Sequence, residues 1–479
     1  MTSAFGHHEL AVPFRSIAEL LSAYRERDPN KLAIVDLDQG SSVSFGEMER
    51  AVTDIAGDLK RRGVGKGDRV VLLSDENLEK LLLWFGIWRI GAVVCPLNVE
   101  LNAEHVASLS ATVEPKLIFV HTDLDANALT LGSRAPICRF GNYSKVNTDP
   151  KEDFFSQLTS SGLTSLPERN DPSDLSCMFC TSGTTSKPKL VVYDHAAYWL
   201  SGLSTLDMLG LTEDDKTLEY RSFGWNSAQV LSLMPFLQTG LTLHIAKRFS
   251  HSRFFEWIKQ HELTFSAGVP TVVNMLLNKP LGYTAKDIPS LRLMTCSTAP
   301  LSPEQWERFE STYGLTLLQL YGMSEAGWIC GNRHYRKRMG TVGPPAKHQE
   351  FIIVDSEGNK CPPNVEGEVT VGGLQTAIGY LQADGSIEPF RGKRNKTGDL
   401  AVMDEDGFVR VTGRTKDLII RGGMNISPLE IDEVLLAHDD LLEGASVGVP
   451  DPIYGEEVVA FSIPKPNSGV TEQTILDYC

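Results

Sequence analysis

The sequence predicts an α/β chain: a large N-terminal domain of two doubly wound sheets plus a small β-barrel-like unit, then a small, incomplete α+β C-terminal domain. Three observations predict it. Apolar patterns of helical and of strand period alternate along the first 320 or so residues, which implies parallel sheets covered on both faces. From Gly340 the chain shifts to short Val- and Ile-rich segments separated by Gly, Pro and Asn, as in antiparallel units. Finally, 479 residues exceed what one core serves.

In order, Phe14 to Arg27 places Ile17, Leu20, Leu21 and Tyr24 on one helical face, and Asp28-Pro29 stops it. Lys31 to Asp36 predicts a strand, Ser44 to Arg62 an amphipathic helix, and Arg69 to Ser74 a strand after a glycine turn. Helix Asn77 to Ile90, strand Ala92 to Pro96, helix Ala103 to Ala111 and strand Lys116 to His121 continue the alternation. Thr122 to Ser173 is polar and irregular, and reads as a connection. The pattern resumes with helices near His195 to Leu206, Gln229 to Gln238, Ser252 to His261 and Pro303 to Tyr313. Strands near Thr217, Leu241, Thr264, Leu293 and Leu317 separate them. Glu350 to Asp355, Gly367 to Val371 and Gly407 to Val411 are the antiparallel strands, and Pro428 to Ala437 is a helix in the last segment. The expected boundaries are 1–415 for the large domain, with subdomains of about 1–170, 171–339 and 340–415, and 416–479 for the small one.

Composition is ordinary for a globular protein, at 42% hydrophobic and 22% charged. The net charge of −16 disfavours nucleic acid as a partner. The N-terminus has no secretory pattern, and no apolar run reaches membrane-spanning length, so a cytoplasmic enzyme is expected. Oligomeric state is not legible. Cys177 and Cys180 form a CxxC, but inside an apolar strand with no second pair at matching spacing; they read as small core residues.

Thr181-Ser182-Gly183-Thr184-Thr185-Ser186-Lys187-Pro188-Lys189 lies between two strand segments. Hydroxyls, backbone N–H groups and ammonium groups in one turn suit an oligophosphate, and Gly183 permits close backbone approach. Tyr321-Gly322-Met323-Ser324-Glu325 follows. There an aromatic ring suits an adenine face, a hydroxyl suits a phosphate, and a carboxylate suits Mg²⁺. Lys396-Thr397-Gly398-Asp399-Leu400 and Gly413-Arg414-Thr415-Lys416-Asp417 offer an acid for ribose hydroxyls and a guanidinium for ribose or phosphate oxygens. His334-Tyr335-Arg336-Lys337-Arg338 is a basic run that reads chiefly as a solvated loop, with a phosphate contact as the minor reading.

In this order the segments resemble the adenylate-forming superfamily of acyl-CoA synthetases, peptide-synthetase adenylation domains and beetle luciferases, with Ser186 where many members have glycine. The resemblance implies that Thr181, Thr184, Lys189 and Glu325 are catalytic, Glu325 also holding the metal. It implies that Ser182, Gly183, Thr185, Thr298, Ala299, Pro300, Tyr321, Gly322, Ser324, Asp399 and Arg414 bind the nucleotide, that Lys416 is the hinge, and that Gly422 and Gly423 pass near a pantetheine arm. The implied cofactors are ATP, Mg²⁺ and coenzyme A.

The implied reaction joins a carboxylic acid to AMP and then to a thiol. Peptide-synthetase domains commonly carry an Asp near the start of the segment Ser222 to Gln229, and no acid stands there. That favours an acyl-CoA synthetase and coenzyme A over a carrier-protein thiol. Phe223 or Trp225 would gate the thiol tunnel, because Gly224 replaces the histidine of a common Phe-His pair. Phe223, Trp225, Val269, Met323 and Trp328 are expected at an apolar acyl pocket. The alternatives are a nucleotide- or acyl-adenylate-binding protein without turnover, or an enzyme of one half-reaction.

The family's lysine in a C-terminal Gly-Lys has no counterpart before Cys479. A truncated form, or a chain impaired in adenylation, is therefore expected, and an ending inside a helix favours truncation.

Overall fold

The computed structural model describes residues 12–101, 103–124, 133–141, 143, 153–158, 170–181, 189–466 and 468–479. Among these residues, two eight-stranded mixed sheets form the body of the large domain. The first runs, edge to edge, through Ile387–Pro389, Gly379–Leu381, Leu190–Asp194, Leu175–Cys180, Val93–Leu97, Arg69–Leu73, Leu117–His121 and Ile137–Phe140. The second runs through Gly327–Gly331, Thr316–Met323, Leu293–Cys296, Phe265–Ser266, Lys216–Glu219, Thr242–Ile245, Leu32–Asp36 and Ser41–Ser44. The mixed α/β architecture is the one expected.

The helices start where local chemistry tells them to. Ser16 and Ser44 each cap a helix, with Glu19 and Glu47 reaching back to complete a reciprocal pair of hydrogen bonds. The helix Leu78–Arg89 differs: every one of its residues is buried, as its nearly continuous apolar sequence demands.

Chain order and sheet order do not coincide. Leu32–Asp36 pairs with Thr242–Ile245 in the second sheet, whereas Leu175–Cys180 and Leu190–Asp194 belong to the first. Consecutive segments of about 1–170 and 171–339 therefore do not each hold one sheet. Gly379–Leu381 and Ile387–Pro389 also join the first sheet, through Leu190–Asp194. What remains of the expected barrel-like unit is a four-stranded antiparallel sheet of Glu350–Val354, Gly367–Gly372, Asn395–Met403 and Val409–Arg414. The C-terminal sheet holds Met424–Ile426, Ile419–Arg421, Gly455–Pro464 and Leu441–Asp451, with Pro428–Ala437 packed on the last of these.

Three local expectations change. The stretch expected to be irregular contains the strand Ile137–Phe140 and a short helix, Phe154–Gln157, which buries both its phenylalanines. A helix over Pro270–Asn278, absent from the expected alternation, starts on its proline, where a missing N–H costs nothing. The helix expected near Gln229 to Gln238 is interrupted by a π-turn at Gln229–Leu233. Cys177 and Cys180, three apart in one strand, pack into different core clusters on opposite faces, so they cannot share a metal ion.

Asp194 fixes the added hairpin. It caps the helix His195–Leu209 through the Ala197 N–H, and receives Arg391 on both oxygens at 2.5 and 2.9 Å. Its side chain is 5% exposed. Asp194→Ala should lower stability by about 3 kcal/mol or more, since Arg391 then loses its buried partner. Urea unfolding checks this; a loss under about 1 kcal/mol would mean that the pair contributes little.

Candidate active site

Parallel strands place all their C-terminal ends on one edge, and loops leaving those ends are the usual ligand-binding region of open α/β sheets. Here such edges of both sheets open on one cleft of about 1270 Å³. Thr181 follows Leu175–Cys180, Trp225 follows Lys216–Glu219, and Val269 follows Phe265–Ser266. Thr298, Ala299 and Pro300 follow Leu293–Cys296, and Tyr321, Gly322, Met323, Ser324 and Glu325 lie at the end of Thr316–Met323. Trp328, Asp399, Arg414 and Lys416 complete the convergence.

The Thr181 N–H donates to the Lys189 carbonyl at 2.9 Å, so the two ends of the hydroxyl-rich loop meet. Ser182, Gly183, Thr184 and Thr185 lie outside the described residues. The Lys189 ammonium sits 4.7 Å from the centre of the Tyr380 ring, and the Tyr380 hydroxyl donates to Glu325 Oε1 at 2.8 Å. Burial raises the Glu325 carboxyl above its ordinary range, while the Tyr380 hydrogen bond and the Lys189 charge pull it down. A desolvated carboxylate of this kind attracts a cation. No group of three His, Cys, Asp or Glu occurs among the described residues, so they show no metal cage made of protein alone.

Asp399 is 5% exposed and also lines the cleft. Its Oδ1 receives Arg414 Nε at 2.7 Å and its Oδ2 is hydrogen-bonded to the Tyr321 hydroxyl. The pairing is the register of adjacent strands: Asp399 stands opposite Arg414. Burial, then the neighbouring carboxylate, holds the Tyr321 phenol well above its usual range, so it remains a neutral donor.

Two residues of this wall have backbone requirements. A Cβ on Gly322 would lie 2.4 Å from the Gly327 carbonyl, so only glycine lets the two strands approach. Thr298 has φ 75°, left-handed backbone that a β-branched residue rarely adopts. Such strain collects at ligand-contacting positions.

The remaining expected residues divide. Trp225, Val269, Met323 and Trp328 line the cleft, with the Trp328 indole N–H donating to Thr205 Oγ1 at 2.9 Å. Phe223 does not: it is 1% exposed and packed in the main core, because its loop turns inward where Gln229 Nε2 binds the Phe223 carbonyl at 2.6 Å. Trp225 is thus the aromatic of that segment that meets the cleft. Gly422 and Gly423 form the tip of the hairpin between Ile419–Arg421 and Met424–Ile426, outside the cleft lining, with the Gly422 N–H held by the Tyr454 carbonyl at 2.8 Å. Sequence reasoning missed Tyr380, which lies 55 residues beyond Glu325 and carries no motif. The basic run is bound to the protein itself: Arg336 and Arg338 stack over Phe408 at 4.8 and 4.2 Å, and Arg338 pairs with Asp404 and Asp406.

Thr298→Gly should stabilise the protein by about 1 kcal/mol by releasing the strain, whereas Thr298→Ala should not. Chemical denaturation of both variants decides this, and a Thr298→Gly protein less stable than the parent would remove strain from the account.

Residues 21–381 match the sequence profile of a family described as AMP-binding enzyme, and residues 430–479 match that of the AMP-binding enzyme C-terminal domain. The chain is 31% identical over 450 residues to the probable CoA ligase CCL9 of Humulus lupulus, covering 91% of this chain and 85% of that protein. It is 30% identical over 442 residues to the oxalate–CoA ligase of Arabidopsis thaliana, covering 90% and 85%. Among solved structures, ATP-bound MatB from Rhodopseudomonas palustris superimposes with a TM-score of 0.86 at 25% identity, over 96% of this chain and 91% of that one.

Proposed function

The chain belongs to the AMP-binding enzyme family, and from that premise we propose that it is an AMP-forming ligase joining a carboxylic acid to the thiol of coenzyme A. The observation that carries this reading is the convergence of Thr181, Glu325, Tyr321, Asp399 and Arg414 on one cleft.

The reaction has two halves, each governed by charge. In the first, a carboxylate oxygen bonds to the α-phosphorus of ATP and the bond to pyrophosphate breaks. Thr181, with Ser182, Thr184, Thr185 and Lys189, donates hydrogen bonds or positive charge to the phosphate oxygens. Asp399 accepts from the ribose hydroxyls, Arg414 neutralises Asp399, and Tyr321 covers the adenine with Thr298, Ala299 and Pro300 beside it. Glu325 is the residue that would hold Mg²⁺, an ion commonly bound by one or two carboxylates plus substrate phosphates and water. When bound, Mg²⁺ would supply positive charge that offsets the negative charge building on the phosphate oxygens. In the second half the thiol attacks the acyl carbon and AMP leaves. Trp225 borders its path, Lys416 is the pivot of the C-terminal domain, and the backbone of Gly422 and Gly423 passes close to the pantetheine arm after rotation.

The acid would lie against Trp225, Val269, Met323 and Trp328, which line the cleft. Relatives are named for oxalate and sulfoacetate as well as for feruloyl and succinylbenzoyl groups, so its identity falls to experiment. The cytoplasmic location expected from the sequence goes with this reading; among the described residues no helix is long and apolar enough to cross a membrane.

A panel of acids with ATP, Mg²⁺ and coenzyme A, read by mass spectrometry, should yield an acyl-CoA and AMP. Saturable ATP binding without a thioester from any acid would replace the ligase by a non-catalytic binding protein.

Tyr380→Phe should raise the Mg²⁺ concentration for half-maximal rate about tenfold, because Glu325 loses the hydroxyl that orients it. A metal titration of initial rates measures it, and an unchanged requirement would detach Tyr380 from the site.

A further inference from the structure

Three residues that line the cleft, Glu76, Asn98 and Arg221, each carry a buried polar atom with no hydrogen-bond partner. Glu76 follows Arg69–Leu73 and Asn98 follows Val93–Leu97, both in the first sheet, while Ser222 lies in the loop after Lys216–Glu219 of the second. Glu76 is 3% exposed and Asn98 2%. Ser222 Oγ donates to Glu76 Oε1 at 2.8 Å and accepts the Gly224 N–H at 3.0 Å, so the loop of one sheet is fastened to the carboxylate of the other. Lys80 Nζ donates to the same Oε1 at 2.6 Å. Glu76 Oε2 is left with no donor.

Asn98 presents the opposite polarity. Its Oδ1 accepts the Glu100 N–H at 2.9 Å, which fixes the orientation of the amide, and its Nδ2 is left with no acceptor. Arg221 binds Glu219 through Nε at 2.8 Å and Nη2 at 2.7 Å, and its buried Nη1 also lacks an acceptor. An added Cβ on Gly224 would stand 3.1 Å from Ser222 Oγ and 3.4 Å from the Asn98 Cβ, so Asn98 and the Ser222 hydroxyl that holds Glu76 both pack on Gly224.

Each ion in this wall has its own counter-ion: Lys80 for Glu76 and Glu219 for Arg221. A ligand group bringing a net charge would be desolvated with nothing left to balance it. A neutral group with one donor and one acceptor fits better. A secondary amide is such a group: its N–H meets Glu76 Oε2, and its carbonyl meets Asn98 Nδ2 or Arg221 Nη1.

We propose that Glu76, Asn98 and Arg221 form a subsite for a secondary amide of one reactant, with Ser222 positioning the Glu76 carboxylate. Only the source of the amide rests on the ligase reading: it belongs either to the pantetheine arm of the thiol or to an amide-bearing acid.

Ligand-observed NMR titrations separate these sources without turnover. The thiol arm compares N-acetylcysteamine with its apolar isostere 1-pentanethiol, and the acid arm compares N-acetylglycine with pentanoate. At least one amide should bind the wild-type chain more tightly than its isostere. Asn98→Ser, whose hydroxyl still accepts the Glu100 N–H, should weaken that amide about tenfold and leave the isostere unchanged. Glu76→Gln should act in the same direction, and circular dichroism checks that both variants fold. An effect confined to the thiol arm places the pantetheine amide here, and one confined to the acid arm places the acid's amide. Equal binding of amide and isostere to the wild-type chain overturns the subsite, as does failure of both amides to bind, or equal weakening of amide and isostere in folded variants. Absence of any thioester in the acid panel would sink the ligase reading alone and leave these titrations standing.

Discussion

The helix Leu78–Arg89 is buried on every face, and the arrangement of both large sheets depends on it. Its apolar residues belong to a single core cluster that also takes in Ile34 and Leu243 from the second sheet and Val70, Val94 and Phe179 from the first. Because the cluster spans both sheets, their edges are held at a fixed separation, and the cleft has a defined width. The helix also carries Glu79, Lys80 and Arg89 into that core, where each needs a partner. Glu79 receives Gln39 Nε2 at 2.9 Å and the Tyr143 N–H at 2.6 Å, Lys80 takes Glu76, and Arg89 faces Glu49 at 3.7 Å. These polar pairs tie the helix to nearby loops and, through Glu49, to the helix Phe45–Arg61, and a shift of the helix would break several of them together.

Much of this architecture was legible in the sequence, because the helices and strands of the large domain carry strong apolar periodicity. The helices Pro303–Tyr313 and Pro428–Ala437 fall where proline and spacing put them. The pairing of strands was not legible. Leu32–Asp36 pairs on one side with the nearby Ser41–Ser44, but nothing local to it reveals that its other neighbour is Thr242–Ile245, since parallel partners are chosen by packing. Polar composition also hid Ile137–Phe140, whose partner on one side supplies what its own residues do not.

The candidate site divides in the same way. Glycine- and hydroxyl-rich loops are readable because close backbone approach restricts their residue types, as at Gly322. Supporting residues such as Tyr380 are ordinary in sequence and gain meaning from the strand that carries them. Phe223 and Trp225 illustrate the limit: both are aromatic, two positions apart, and only the inward turn of the loop decides which one meets the cleft.

The hairpin that carries Tyr380 adds to the edge of Leu190–Asp194, the strand leaving the hydroxyl-rich loop. In the finished protein this closes an apolar edge, Leu190-Val191-Val192-Tyr193, all of it buried. During synthesis the partner does not yet exist. At about 5–20 residues per second, the roughly 190 residues between the two strands leave the edge open for on the order of 10–40 s after it emerges. An unpaired apolar strand is a template for pairing with another chain. The nascent protein is therefore most exposed to aggregation and most dependent on chaperones in that interval, at the strand that follows the hydroxyl-rich segment.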